Sequence, residues 1–231
     1  MKPSESDPAV PPPTRRRVLL VDDHPFMRAG LALLIDKQPD MVVAGEAGNP
    51  ADAMRAIAKG DLELILSDIT MPGRSGLDFI KDVQASNPAL PILVVSMHDE
   101  TLYAERVLRA GARGYIMKEA GGENLLAAMR QVLRGEIYVS PSVSARMLES
   151  MSGRKPRGSN SPIEKLSDRE FEIFQLVGQG KSTREIAAQL NLSPKTVDVH
   201  RANIKDKLQL KDTTALVRHA VRWVETQGRN G

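Results

Sequence analysis

What most constrains this chain is a recurrence of short apolar runs, each ending at a polar or charged residue and each followed by a stretch of helical periodicity. Val18-Leu19-Leu20-Val21 runs into Asp22-Asp23, Leu62 to Leu66 into Ser67-Asp68, Pro91 to Val95 into Ser96, and Gly114 to Met117 into Lys118. Met41 to Ala44 is a further strand-like run. Strands that stay apolar on consecutive residues, with no polar alternate, fit a parallel sheet covered on both faces. The intervening stretches Pro25 to Lys37, Pro50 to Lys59, Gly76 to Ala85, Thr101 to Ala110 and Glu123 to Arg134 are long enough to be the covering helices. The first carries Phe26, Ala29, Leu33 and Ile35 at mostly helical spacing. Five such units predict a doubly wound α/β domain with a five-stranded parallel sheet.

After about Glu136 the alternation stops. Gly153 to Pro162 is rich in Gly, Pro, Ser and basic residues, the composition of a linker, with a short helix expected over Ser142 to Met151. Beyond it the periodicity is wholly helical. Ser167-Asp168-Arg169-Glu170 has the form of a capping box and opens a helix with Phe171, Phe174 and Val177 inward, ending near Gly178 or Gly180. Ser182 caps a second helix holding Ile186, Ala187 and Leu190, Ser193-Pro194 starts a third, and Asp212 a fourth with Leu216, Ala220 and Trp223. The expected division is a disordered tail at 1–15, an α/β domain at 16–135, a linker at 136–163, a small all-α four-helix domain at 164–226 and a tail at 227–231. Each domain is large enough to bury its own core.

Composition removes several alternatives. The chain has 231 residues and no cysteine, so disulfides and cysteine-based zinc sites are excluded and a reducing, cytoplasmic setting is the natural expectation. No apolar run approaches the roughly 20 residues a membrane span needs, so no membrane partner is expected. Met1 to Thr14 is polar and proline-rich, without the apolar segment of a signal peptide. A net charge of +3 says little about partners by itself.

In an open parallel sheet, chemistry collects at the carboxyl ends of the strands. Asp22, Asp23 and Asp68 meet there, with Ser96 and Lys118 delivered by the next strands. Three crowded carboxylates repel one another, and a hard divalent cation with oxygen ligands, Mg²⁺ by default, resolves the conflict. An ammonium opposite them, with a hydroxyl beside it, completes a receptor for a phosphoryl group. Asp68, on a sharp turn before Met71-Pro72-Gly73, is the candidate nucleophile, and a carboxylate attacking phosphorus gives an acyl phosphate. His24 and His98 lie near the cluster and are expected to be bystanders, because an oxygen site has no need of imidazole.

In the helical domain, Glu185 to Leu208 reads as helix, turn at Asn191-Leu192, helix. On the last of these, Val197, Ile204 and Leu208 fall on one arc and face inward. Lys195, Val199 and Ala202, flanked by Thr196, Asp198 and Lys205, make the opposite face, small and polar enough to enter a major groove. Lys195, Arg201, Lys205 and Lys207 outnumber Asp198 and Asp206, and such flanking cations suit phosphate contacts. His200 and Trp223 are expected to be structural, Trp223 in the core or at a dimer seam.

Two resemblances cover most of the chain. Val18 to Asp23, Ser67-Asp68-Ile69-Thr70-Met71-Pro72-Gly73 with Gly76, Val94-Val95-Ser96 and Gly114 to Lys118 resemble the receiver domain of two-component response regulators, a flavodoxin-like fold. Leu166 to Glu170, Gly180 to Ala187, Leu192 to Arg201, Ile204 and Lys207-Leu208 resemble the LuxR-type helix-turn-helix, and the combination is that of the NarL/FixJ class. The resemblance implies that Asp68 is the phosphoacceptor, that Asp22 and Asp23 hold Mg²⁺ together with Asp68 and the Thr70 backbone carbonyl, that Ser96 and Tyr115 are the switch pair, and that Lys118 binds phosphate. Thr70 and His98 occupy positions that tune acyl-phosphate lifetime. It implies as partners a sensor histidine kinase, double-stranded DNA and a second copy of the chain on DNA, with RNA polymerase admitted as a further one, and no turnover of a separate substrate. Whether phosphorylation frees the DNA-binding domain or drives dimerisation is left open. Asp198 stands where many relatives carry Lys or another polar reader, and a carboxylate there suits cytosine N4 better than phosphate. A haloacid-dehalogenase-like phosphohydrolase, the enzyme alternative, wants an acid where Thr70 stands. A ligand-sensing LuxR-type regulator wants an apolar pocket that 3% aromatic content hardly supplies.

Overall fold

A computed structural model describes residues 15–71, 75–152 and 162–227. The expected tail before Arg15, the turn at Pro72-Gly73, most of the Gly/Pro/Ser-rich linker stretch and the last residues lie outside these.

Strands β1 (Arg16–Val21), β2 (Met41–Ala47), β3 (Leu64–Ser67), β4 (Ile92–Ser96) and β5 (Gly114–Met117) pair in the order β2-β1-β3-β4-β5, every pairing parallel. Helices α1 (Pro25–Asp36), α2 (Pro50–Ile57), α3 (Gly76–Ser86), α4 (Glu100–Ala110) and α5 (Gly122–Leu133) connect them. Because strand side chains alternate between faces, Val18, Leu20, Leu64, Leu66, Leu93 and Val95 pack on one side with Ile35 of α1 and Leu125, Met129 and Val132 of α5. Leu19, Val21, Ile65, Ile92 and Val94 pack on the other with Ala53 and Ile57 of α2, Phe79, Ile80 and Val83 of α3, and Tyr103, Ala104 and Val107 of α4. Each fully buried aliphatic side chain contributes roughly 1.5–3 kcal/mol relative to exposure, which explains strands with no polar alternate.

The order reverses direction between β1 and β3. Loops leaving these neighbouring strands diverge to opposite faces and open a crevice at their carboxyl ends, where Asp22, Asp23 and Asp68 emerge. Helix α3 starts against the loop that follows Asp68: a Cβ on Gly76 would lie 2.2 Å from the Ile69 carbonyl oxygen, so no larger residue fits there. Ser75 caps this helix, accepting from the Leu77 and Asp78 N–H groups.

One expectation needs correction. On α1, Phe26 is 95% and Leu33 66% exposed, while Ile35 is buried and Leu31 and Leu34 pack partly against the core. The inward arc is set by Leu31, Leu34 and Ile35, leaving Phe26, Ala29 and Leu33 on the outer face; an apolar face on both sides of a helix cannot be assigned by periodicity alone. The short helix expected over Ser142 to Met151 forms as α6 (Pro141–Met151) and packs on α4 through Val143, and the Ser140 and Ser142 hydroxyls donate to Glu100 Oε1 at 2.6 Å. Tyr138 bridges to Gly114 at the edge of the sheet.

The helical domain comprises α7 (Asp168–Gly178), α8 (Thr183–Gln189), α9 (Pro194–Leu208) and α10 (Thr213–Gln227). Reciprocal capping boxes at Ser167/Glu170 and Ser182/Glu185 start α7 and α8, and Ser193 with Pro194 starts α9. Asn191 and Gln209, both at φ 54°, turn the chain between α8 and α9 and out of α9. Phe171, Phe174, Ile186, Val197, Ile204, Leu216 and Ala220 fill the core, and Trp223 meets Phe171 and Phe174 edge-on at 5.5 and 5.6 Å.

The two domains touch along α3, α4 and α7. Arg169 pairs with Asp78 at 2.7 Å, Asp168 with Lys81 at 3.0 Å and Arg106 at 3.1 Å, and the Arg106 guanidinium lies 4.5 Å above the Phe171 ring. The buried side chains of α3, α4 and α7 form one continuous apolar cluster.

Candidate functional site

Strand ends deliver the site. Asp22 and Asp68 are almost fully buried, and Lys118, fifty residues or more distant in sequence, reaches between them with Nζ 2.7 Å from Asp22 Oδ2 and 2.6 Å from Asp68 Oδ2. Burial works against the Lys118 ammonium, but the two carboxylates outweigh it and hold the group above its ordinary range. Lys118 is therefore a permanent cation. The second oxygen of Asp22 accepts the His24 N–H at 2.8 Å, and that of Asp68 accepts the Thr70 N–H at 3.0 Å.

Asp23 completes the acidic group. Ligand atoms from Asp22, Asp23, His24 and Asp68 all lie within 4.8 Å of one another. His24 Nδ1 is 2.9 Å from Asp23 Oδ1 but off the hydrogen-bonding direction, so that this buried oxygen has no hydrogen-bond partner. A buried anionic oxygen left without a donor beside two further carboxylates fits a hard divalent cation. The histidine stands closer to this cluster than a bystander would.

The two residues expected to form the switch pair, Ser96 and Tyr115, lie on the next strands, at the end of β4 and in β5. Ser96 is fully buried, and its Oγ accepts the His98 N–H at 3.2 Å. Tyr115, with 1% exposure, donates its hydroxyl to the His98 carbonyl at 2.6 Å, and burial pushes the phenol far above its ordinary pKa, so it remains a donor at every physiological pH. The Thr70 hydroxyl lies 2.7 Å from His98 Nε2, and the imidazole stacks on Tyr103 with centroids 4.8 Å apart. Burial also depresses the His98 pKa, which keeps the ring neutral. His98 is thus hydrogen-bonded at three points and stacked at a fourth. The resemblance placed Thr70, Ser96, His98 and Tyr115 near the site, but not the contact of His98 with Tyr103, which depends on where the β4–α4 connection folds back.

On α9, Val197, Ile204 and Leu208 are buried as expected, and Lys195, Asp198, Val199 and Ala202 form an exposed face, Val199 at 53%. Other candidate DNA contacts are partly engaged within the domain. Thr196 is held by Ser193, with hydroxyls 2.7 Å apart. Arg201 donates to the Thr183 hydroxyl at 2.7 Å, and that hydroxyl reaches Asp198 at 3.4 Å, so two candidate residues, Arg201 and Asp198, brace α9 against α8 through Thr183. Lys207 pairs at 2.6 Å with Glu170, the buried carboxylate of the α7 capping box, which places it in the architecture of the fold. Lys205 is half-buried. His200 Nδ1 is buried without a partner.

Comparison with known proteins agrees with this geometry. Residues 18–130 match the response regulator receiver domain, and residues 164–220 match the bacterial regulatory proteins of the luxR family. The oxygen regulatory protein NreC of Staphylococcus carnosus is 34% identical over 210 residues, covering 89% of this chain and 97% of that protein. RcsB from Salmonella enterica serovar Typhimurium, solved bound to promoter P1flhDC in the presence of the phosphomimetic BeF3−, superposes with a TM-score of 0.69 at 26% identity, covering 90% of this chain and 98% of that one. A structure of two RcsB dimers on two parallel DNAs gives a TM-score of 0.55 at 26% identity, over 89% and 97% of the respective chains. No helix among the described residues is long and apolar enough to cross a membrane. This chain belongs to the two-component response regulators that join a receiver domain to a LuxR-type helix-turn-helix domain, and it is a phosphorylation-controlled DNA-binding regulator of that kind.

Proposed function

We propose that Asp68 is the residue that takes the phosphoryl group, and that a phosphohistidine of a sensor kinase supplies it. The observation that carries this reading is the single ammonium of Lys118 shared by Asp22 and Asp68 at the mouth of the β1/β3 crevice. An Asp68 carboxylate oxygen attacks phosphorus, the P–N bond of the donor breaks, and the imidazole leaves with its electron pair and takes up a proton. Lys118 neutralises charge on the transferring group, as pre-positioned cations do in phosphoryl transfer. The Thr70 N–H orients the attacking carboxylate. Asp22, Asp23 and Asp68, with the Thr70 backbone carbonyl, would hold Mg²⁺, which when bound supplies a Lewis acid for the phosphoryl oxygens.

Ser96 donates to the new phosphoryl acceptors, and Tyr115 follows the loop that Ser96 releases. In the helical domain α9 enters the major groove of double-stranded DNA with Lys195, Val199 and Ala202 foremost and Asp198 at its side, while Thr196, Arg201, Lys205 and Lys207 border the surface. Two copies reading adjacent half-sites form the active unit on DNA, with RNA polymerase as a further contact in the cytoplasm. The receiver promotes its own phosphorylation and hydrolysis and turns over no separate substrate.

The test is phosphorylation by a small acyl phosphate in the presence of Mg²⁺. Intact-mass analysis should show one added phosphoryl group that is absent in Asp68→Asn, together with tighter binding to an operator obtained by selection. Equal mass gain in wild type and Asp68→Asn overturns the assignment.

A further inference from the structure

Between Asp68 and the helical domain runs a line of contacts that begins at Thr70, which orients the attacking carboxylate, and continues beyond what the phosphoryl chemistry uses. Thr70 donates its N–H to Asp68 Oδ1 at 3.0 Å, and its hydroxyl meets His98 Nε2 at 2.7 Å. The His98 ring lies nearly parallel to Tyr103, 18° between planes at 4.8 Å. Tyr103, 5% exposed on α4, meets Phe171 of α7 edge-on at 5.2 Å, and Phe171 meets Trp223 of α10 at 5.5 Å. The backbone of His98 is held at the same time by Ser96 through its N–H and by Tyr115 through its carbonyl. One residue therefore has its main chain in the hands of the switch pair and its ring against the domain interface.

We propose that His98 is the positioning residue through which the state of Asp68 sets the docking of α7 on α3 and α4. This deepens the reading of Asp68 as phosphoacceptor and rests on it. Ser96 has one hydroxyl. When it turns to donate to the phosphoryl oxygens, its lone pairs leave the His98 N–H, and the β4–α4 connection loses that tether. A phosphoryl group on Asp68 also displaces the carboxylate oxygen that orients Thr70, the partner of the His98 ring. Two of the three sheet-side anchors of His98 weaken together, leaving the Tyr115 hydroxyl on its carbonyl. The imidazole then leaves Tyr103, and the ring that meets Phe171 edge-on loses its stacking partner.

The size of the effect suits a switch. An aromatic contact of this kind shifts a two-state equilibrium by up to about tenfold, enough to bias docking without unfolding either domain. The coupling is reciprocal, so a released helical domain also favours the phosphorylated arrangement of the loop. Docking as it stands leaves Lys195, Asp198 and Val199 exposed. What the docked state restricts is the orientation of the helical domain relative to the receiver, and hence its pairing with a second copy.

The experiment uses the full chain with BeF3− and Mg²⁺ as the probe. Bound BeF3− is read by its fluorine resonance, and docking is read separately by amide hydrogen exchange in α7 and α4. In wild type, saturating BeF3− is expected to raise exchange along Asp168–Gly178 by about threefold to tenfold. His98→Ala should show that raised exchange already without BeF3− and no further rise with it. His98→Phe retains a ring for Tyr103 but loses the bond to Thr70, so it should stay protected and respond weakly; this variant carries the test if the alanine variant does not fold. A full BeF3−-dependent rise in either folded variant, or no rise in wild type despite a bound fluorine signal, overturns the relay alone. Absence of a bound signal in wild type, matching Asp68→Asn, overturns the phosphoacceptor reading and the relay with it.

Discussion

Glu172 makes the docking of the two domains pH-dependent in a way that can be worked from the structure. Its carboxyl is buried at the interface, where the Ser75 hydroxyl donates to it and Arg169 of its own helix pairs with it at 3.0 Å. Asp168 on the same helix and Asp78 on α3 face it with like charge, Lys81 on α3 and Arg106 on α4 lie beyond them, and Tyr103 of α4 lines the same cleft. Burial, only partly offset by Arg169 and reinforced by Asp78 and Asp168, raises Glu172 from 4.5 to about 7. Undocking returns the side chain to water and to its ordinary value. The docked state thus binds the proton more tightly, so docking is strongest below the ordinary carboxylate range and weakens as pH rises through 7. The gap between the two values corresponds to about 3 kcal/mol in all, and between about pH 5.5 and 8 to a roughly 30-fold weaker docking equilibrium. Glu172→Gln, neutral and of the same shape, should remove that slope while leaving contributions of other groups in place. Hydrogen exchange in α7, normalised to a reference peptide for intrinsic pH dependence, measures it. Docking that is flat or strengthens from pH 5.5 to 8 in wild type, or an unchanged slope in Glu172→Gln, would refute the reasoning.

Three further outcomes are expected. Saturating Mg²⁺ at about a hundred times its Kd should stabilise the receiver by about 2.7 kcal/mol in thermal melts, and Asp23→Ala should lose most of that gain; Lys118→Met should still bind the ion but lose phosphoryl uptake from a small acyl phosphate by about 10²–10³-fold. Gly76→Ala forces a Cβ against the Ile69 carbonyl and should cost about 3 kcal/mol in a denaturant melt, with no such cost at Gly30, where the space is open. Lys195→Ala should lower the salt dependence of DNA binding by about one released counterion, whereas Lys207→Ala should leave it nearly unchanged and instead lower the melting temperature, because Glu170 is left buried and unpaired.

Local pattern sufficed for much of this protein. Unbroken apolar strands such as Val18–Val21 declare burial on both faces, and Ser167/Glu170 and Ser182/Glu185 announce helix starts, because caps and periodicity are properties of a few consecutive residues. The acidic strand ends and Lys118 were legible as one site once the sheet was inferred parallel, since a parallel sheet brings all its strand ends to one edge. Helix α1 was legible as a helix but not in its orientation: Phe26 and Leu33 are as apolar as Leu34 and Ile35, and only packing against the sheet chose between the two faces.

Contacts between distant elements were decided by the tertiary structure alone. Lys207 looked like a phosphate ligand from its charge and position, yet the approach of α9 to the start of α7 gives it a buried carboxylate. His98 looked incidental beside an oxygen site, yet the β4–α4 connection lays its ring between Thr70 and Tyr103 and so against the second domain. Glu172 and Asp78 belong to separate domains and carry no shared motif; their meeting follows from how α7 sits on α3. The sequence by itself determined which segments fold and which edge of the sheet does the chemistry, because those follow from short-range periodicity and strand direction. How the two domains address each other was settled only by three-dimensional packing, because that surface is assembled from residues that periodicity leaves equivalent to any other solvated face.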